Sequence, residues 1–435
     1  MIDYLKKYAE PEAQSAYQDL DQLTQPKWNA VAVLPLLAEP DAIQTIRSLQ
    51  TAASFGKKKL LTIAVVNAKE SASQNDHSEN QKLLQSLSKE KNVLIVDRAT
   101  TGKFFPPDQG VGLARKIGCD LAIALIARGH LSCDFIHTTD GDAIVAPDYF
   151  SPPISQSSLG LDPSHVVTLW HQYRHELESQ ESLSLCLYEI SLRYYVLGLR
   201  FAESPFAFPT VGSTQAFTPK AYCEVRGFPR REAGEDFYLV NKLAKVGGVA
   251  FSKGLVRLKA RPSARVPFGT GAAMRKIEMA LANGAPFPLY HPQIFLWLKD
   301  WLIEMNAFCE HRDIDIVRNR LREKHQEPII TLLNSLKAWE ALTIAMTTRP
   351  QPDSCRRHLH TWFDAFRTLK FIHAARDNFL GWVHYPVALN EAPFLLHEYH
   401  LLGSDSSLTK QEPYQLLNAL RHLEDDYYVA PRLAP

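Results

Sequence analysis

The sequence predicts an α/β protein: a doubly wound, mostly parallel sheet followed by a helical C-terminal subdomain. Three observations lead there. Short apolar runs at 30–35, 60–66, 92–96 and 135–138 alternate with helical patterns at 41–53, 81–88 and from Gly110 onward, the spacing of parallel βα units. Polar residues stand where three of those runs end, at Asn67, Asp97 and Asp140, the edge at which such sheets bind ligands. Beyond about residue 289 the pattern turns to long helical stretches rich in Trp, Leu and His.

Taken in order, residues 1–29 form a helical lead-in. The α/β domain spans 30–288. Its first strand is Ala30-Val31-Ala32-Val33-Leu34-Pro35, and the helix after it shows Ile43, Ile46 and Leu49 on one stripe. A second strand ends at Asn67 before a polar loop, and a third ends at Asp97. The segment Gly110-Val111-Gly112-Leu113-Ala114-Arg115 opens a helix. Residues 151–205, aromatic-rich, are expected as a helical insertion within this domain. Strand-like segments follow at 206–217, a helix at 233–246, and short strands at 249–251 and 256–258. The helical subdomain takes 289–435, with Pro-rich breaks at 349–352 and at the end. In it, Trp297 and Trp301 read as helix core.

Composition narrows the classes. A chain of 435 residues, 46% hydrophobic and 22% charged, has material for two or three domains. Lys+Arg 48 against Asp+Glu 47 gives no field that would draw nucleic acid. The first residues lack the basic-then-apolar layout of a signal peptide. The most lipophilic stretch, 183–202, is interrupted by Glu189, Arg193 and Arg200, so no transmembrane segment is expected. Six cysteines without a Cys-x-x-Cys pair read as reduced thiols of a cytoplasmic protein.

The chemistry-bearing pattern is Asp140-Gly141-Asp142. It follows the apolar strand ending at Thr138 and precedes Ala143-Ile144-Val145. Two carboxylates one residue apart at an open sheet edge can hold Mg²⁺ or Mn²⁺ and, through it, a diphosphate. His137 could face the core or the metal, and His291 is a candidate third ligand. A second acidic pair, Glu235-Asp236, opens the helix at 233–246.

In this order the motifs resemble a glycosyltransferase of family 2 type on the GT-A, nucleotide-diphospho-sugar transferase-like fold. The resemblance runs over about residues 30–260. It rests on Val31 to Pro35 with Glu39, Val65-Val66-Asn67, Gly112-Leu113-Ala114-Arg115, Asp140-Gly141-Asp142 and Gly234-Glu235-Asp236. The stretch 212–217, with Val225-Arg226-Gly227-Phe228-Pro229, is similar to the family's segment before its Glu-Asp motif. The resemblance implies that Asp140 and Asp142 bind the metal and the donor's diphosphate. It implies Asp236 as catalytic base, with Glu235 as the alternative. It places Pro35 and Glu39 at the donor's nucleobase and ribose, and Arg115 near the nucleotide. Asn67 and Asp97 join the donor edge as strand-end residues. Arg261 and Arg265, in a Pro- and Gly-bearing loop, suit closure over a diphosphate.

The implied reaction moves one sugar from a UDP- or GDP-sugar to a hydroxyl acceptor, a small molecule or a glycan, with inversion. A retaining GT-A enzyme and a non-catalytic scaffold are the alternatives. The chain departs from the family at three places. Ala38-Glu39 replaces Asn-Glu, and Asn67-Ala68-Lys69 lacks paired acids. The Gln-x-x-Arg-Trp motif of processive synthases is absent, which favours a single transfer. A nucleotidyltransferase would carry a Gly-rich loop after the first strand, and residues 36–39 contain no glycine. An aspartate-nucleophile phosphatase would place its Asp-x-Asp there.

Overall fold

The computed structural model describes residues 1–152, 165–177, 183–259, 270–285, 287–395 and 412–429. Two compact units divide the chain, one built on Met1–Ser179 and Thr210–Ala273, the other on Gln180–Pro209 and Met274–Asp426.

The first unit carries an eight-stranded sheet in the order β3-β2-β1-β4-β7-β6-β8-β5. Its strands are β1 (Ala30–Leu36), β2 (Leu60–Asn67), β3 (Val93–Arg98), β4 (Ile136–Thr138), β5 (Ala143–Val145), β6 (Val166–His175), β7 (Gln215–Phe217) and β8 (Gly248–Leu258). Six strands run one way, while β7 and β5 are reversed. Helices α3 (Ala42–Phe55), α4 (Gln74–Leu87) and α5 (Val111–Ala127) make the crossovers between the first four strands. This is the α/β, doubly wound, mostly parallel sheet that the sequence predicts.

Strand alternation explains the two layers. β1 is almost wholly apolar because both of its faces are covered. Val31 and Val33 join the core under α5, with Ile63, Val65, Ala114 and Ile117. Ala32, Leu34 and Leu36 join the opposite core under α3, with Ile46 and Leu49. Two helices precede the sheet, α1 (Ile2–Lys7) and α2 (Pro11–Asp19). Both pack on α5 through Tyr4, Leu5, Ala9 and Ala13.

Three expectations are corrected. Residues 151–205 are not helical throughout, because β6 lies among them and pairs with both β7 and β8. Val166, Leu169, Trp170 and Tyr173 fall at i, i+3, i+4 and i+7, which imitates a helix stripe. A strand covered on both faces needs no alternation, and sheet pairing decides. Second, α6 (Leu183–Phe201) belongs to the helical unit, where Gly198 lets Phe295 approach its backbone. That unit begins again near residue 274 rather than 289. Third, the two short strands expected at 249–258 are one continuous β8.

The second unit is mainly helical, with α9 (Gln293–His311), α10 (Ile314–Ser335), α11 (Ala338–Thr348), α12 (Pro352–Trp362) and α13 (Ala365–Ala375). Trp301, Phe308, Phe363 and Phe371 are fully buried there and Trp297 nearly so, so these tryptophans are core. Among the described residues no single helix is long and apolar enough to cross a membrane.

Candidate active site

The site is assembled where the C-terminal ends of β1, β2 and β4 meet the N-termini of α5 and α8 (Glu235–Leu243). The Asp140-Gly141-Asp142 turn follows β4 directly. Thr45 of α3 anchors it, its hydroxyl donating to the Gly141 carbonyl at 2.8 Å. A Cβ on Gly141 would lie 2.5 Å from Glu39 Cγ and Leu36 Cδ2, so only glycine admits this approach. Glu39 is thereby placed directly under the acidic turn. Asp140 keeps an open side, its side chain 42% exposed.

Gly234, at φ +74°, precedes α8 in the left-handed region that favours glycine. It sets Glu235 and Asp236 in the first helical turn, where negative charge complements the helix dipole. Glu235 is only 2% exposed, and Asp236 is half-buried.

Arg115, in the second turn of α5, joins the two acidic motifs. It is 3% exposed. Its Nη2 donates to Asp140 Oδ1 at 2.5 Å and its Nη1 to Glu235 Oε1. The guanidinium lies against Gly212, and its buried Nε has no partner among the described residues. Burial alone would lower the Arg115 pKa. Asp140 first and Glu235 next outweigh it and hold the group charged.

The acids respond in the opposite sense. Burial pushes the Glu235 carboxyl up to about 7 against the pull of Arg115, and Asp236 adds to the rise. Burial also raises Asp236, with Arg115 opposing. One guanidinium therefore serves three carboxylates, and the excess negative charge is held in a poorly solvated place.

Beside this cluster is a cavity of about 270 Å³ at the ends of β1 and β2. Pro35, Asn67, Lys69, Phe105, Gln109 and Glu232 are among its lining residues. Asn67 also fastens the strand ends, its Nδ2 donating to Leu36 O at 3.0 Å and Val65 O at 3.3 Å. Asn80 of α4 continues this network, donating to Asn67 O at 3.2 Å and accepting from Ala38 N at 2.8 Å.

Of the residues expected at a donor site, Pro35 and Asn67 line the cavity, while Glu39, Arg115 and Asp140 meet at the acidic turn. Asp97 is different. Its Oδ1 accepts from Ala99 N and Thr100 N, each at 3.0 Å, and its Oδ2 from Lys103 Nζ at 3.0 Å. Burial would raise this carboxyl, but these hydrogen bonds hold it below the usual range. Asp97 shapes the loop after β3 and does not line the cavity. Arg261 and Arg265 lie outside the described residues.

His137 faces the core rather than the acidic turn. Its Nδ1 is 3.2 Å from His171 Nε2, and Tyr149 and Phe150 pack around it. Burial pulls its pKa down to about 3, so it stays neutral. His291 belongs to the second unit, where its Nδ1 accepts the Gln293 N–H at 3.1 Å.

Sequence reasoning missed Lys69, Phe105, Gln109 and Glu232 as cavity residues, and Thr45 and Gly212 as supports. Two left a trace: Lys69 in the unusual Asn67-Ala68-Lys69, and Gly212 at the start of the stretch 212–217.

No family model matches the chain, and no curated protein matches it. Solved structures with some likeness include Staphylococcus aureus TarS in complex with UDP-GlcNAc. It is 11% identical, with 92% of this chain and 91% of that chain covered and a TM-score of 0.34. A mycobacterial protein is 18% identical over 63% of this chain and 78% of its own, with a TM-score of 0.34. The mannosyltransferase PcManGT from Pyrobaculum calidifontis, in complex with GDP-Man and Mn²⁺, is 14% identical. That match covers 87% of this chain and 94% of the other, with a TM-score of 0.35. At such values none of these likenesses carries weight for function, and the fold rests on the sheet order itself.

Proposed function

We propose that this protein is a glycosyltransferase of family 2 type that moves one sugar from a UDP- or GDP-sugar to a hydroxyl acceptor, with inversion. The observation that carries the reading is Arg115, which gathers Asp140 and Glu235 onto one buried guanidinium at the strand-end edge. A third acid, Asp236, adds its field to the same guanidinium.

The donor's base and ribose would occupy the cavity beside Pro35 and Asn67, with its diphosphate over the Asp140-Gly141-Asp142 turn. Asp236 is the better base of the acidic pair. It retains solvent access, while Glu235 is enclosed and bound to Arg115. A carboxylate raised by burial accepts a proton more readily than an ordinary one. As the acceptor hydroxyl attacks the anomeric carbon, Asp236 takes its proton and the nucleoside diphosphate departs. Arg115 supplies a fixed positive charge close to the charge that accumulates on the leaving group.

The donor set also fits a divalent cation. Asp140 and Asp142 offer hard oxygen ligands on either side of Gly141, and Mg²⁺ or Mn²⁺ commonly takes one or two carboxylates together with substrate phosphates. Among the described residues no group of three or more His, Cys, Asp or Glu forms a metal cage of its own. When bound, such an ion would neutralise the departing diphosphate.

A thermal-shift screen of UDP-, GDP- and dTDP-sugars with and without Mn²⁺ tests the reading, because a ligand of the folded state raises apparent stability by mass action. At least one UDP- or GDP-sugar should stabilise the protein, and Asp142→Ala should remove the Mn²⁺-dependent part. No shift with any nucleotide sugar would favour the scaffold alternative.

A further inference from the structure

We infer that the ion pair between Lys69 and Glu232 is a positioning clamp that ties the cavity to the loop carrying the acidic pair. The inference rests on the donor reading above for the identity of the ligand, though not for the clamp itself.

Three loops close around the cavity. The first follows β2 and holds Lys69. The second precedes α5 and holds Phe105 and Pro107. The third precedes α8 and holds Glu232. Lys69 touches all of them. Its backbone bridges to Phe105, its ammonium donates to Pro107 O at 2.5 Å, and the same ammonium is paired with Glu232 Oε1. The third loop is also seated on α5, where Gly112 N donates to Arg231 O at 3.1 Å. Glu232 stands three residues before Glu235, with Gly234 between them at φ +74°. Glu232 thus lies in the short loop that leads directly into the first turn of α8, and holding it at Lys69 restrains that loop beside its seat on α5.

The pair is poorly suited to a purely stabilising role. The side chains of Lys69 and Glu232 are 32% and 44% exposed, and exposed ion pairs contribute little to folding. Both residues line the cavity, so a bound nucleotide would meet the clamp directly. Lys69 thus links the loop after β2, which lines the cavity, to the loop that leads into the acidic pair.

The test compares wild type with Lys69→Met, Lys69→Arg, Glu232→Gln and the charge swap Lys69→Glu/Glu232→Lys. Binding of UDP and GDP is measured by calorimetry, and hydrogen exchange of residues 232–237 by mass spectrometry. Each neutralising variant should weaken the nucleotide bound by wild type about tenfold and speed exchange of that segment, with little change in the melting temperature of the free protein. Lys69→Arg and the charge swap should recover most of both readouts. Unchanged exchange in Lys69→Met and Glu232→Gln, or a swap no better than either, would overturn the clamp. If wild type binds neither UDP nor GDP, the donor reading fails alone, and exchange still decides the clamp.

Discussion

Helix α5 carries two buried charge clusters five residues apart, and they are built differently. Near the middle of the helix Asp120 is fully enclosed, and four donors meet it. Tyr4 and Tyr222 hydroxyls donate to Oδ1 at 2.6 and 2.9 Å, and Glu10 N and Lys116 Nζ donate to Oδ2 at 2.8 and 3.0 Å. At the N-terminal end Arg115 faces three acids, leaves its Nε unpartnered among the described residues, and opens through Asp140 to solvent. The closed cluster is complete in itself and docks α1, α2 and α7 (Pro219–Glu224) onto the helix. The open cluster is unbalanced, with acids pushed above their ordinary range. Buried charge that is fully met supports the fold, and buried charge left uneven at a solvent edge is the arrangement expected of a site.

The contrast can be broken from either side. Asp120→Ala should have the largest effect, since it removes the carboxylate closest to buried Lys116 and leaves it the Tyr4 hydroxyl at 3.0 Å and Glu10 at 4.0 Å. A loss of about 3–5 kcal/mol in denaturant unfolding is expected, with turnover per folded molecule retained. Asp236→Asn should do the reverse. Turnover should fall on the order of 10²- to 10³-fold, about 3–4 kcal/mol in the barrier, while the unfolding midpoint hardly moves. If both variants changed stability and turnover in parallel, the two clusters would not differ in kind.

Glu235 sharpens the comparison through pH. Its folded-state pKa, about 7, exceeds the ordinary 4.5, so the folded protein holds this proton longer than the unfolded chain. Its contribution to stability is therefore fully present below about pH 4.5 and is lost as pH rises through about 7, at roughly 1.4 kcal/mol per unit of raised pKa. Stability measured across that window should fall more steeply in wild type than in Glu235→Gln. An identical slope in the two proteins would remove the burial argument for this acid. The smallest effect belongs to Tyr222→Phe, which deletes one of four donors to Asp120 and should cost about 1 kcal/mol without altering turnover.

How much of this was legible depends on range. The strands that carry Val31, Val33, Ile63 and Val65 announce themselves because a doubly covered strand must be apolar throughout. The Asp140-Gly141-Asp142 turn and the Glu235-Asp236 pair were also readable, since both are local patterns at the ends of recognisable elements. Asp97 was misplaced for the same local reason. A carboxylate at a strand end looks identical whether it meets a ligand or, as here, the backbone N–H groups two and three residues on.

Hydrophobic period and short-range spacing thus reveal the first four strands, the sheet edge that bears the acids, and the two acidic motifs. Folding alone buries Arg115 between those motifs, pairs β6 within the sheet despite its helix-like stripe, and brings Lys69 to Glu232 at the cavity. Each of these depends on long-range contact, and partners brought together by folding leave no periodic mark in the chain.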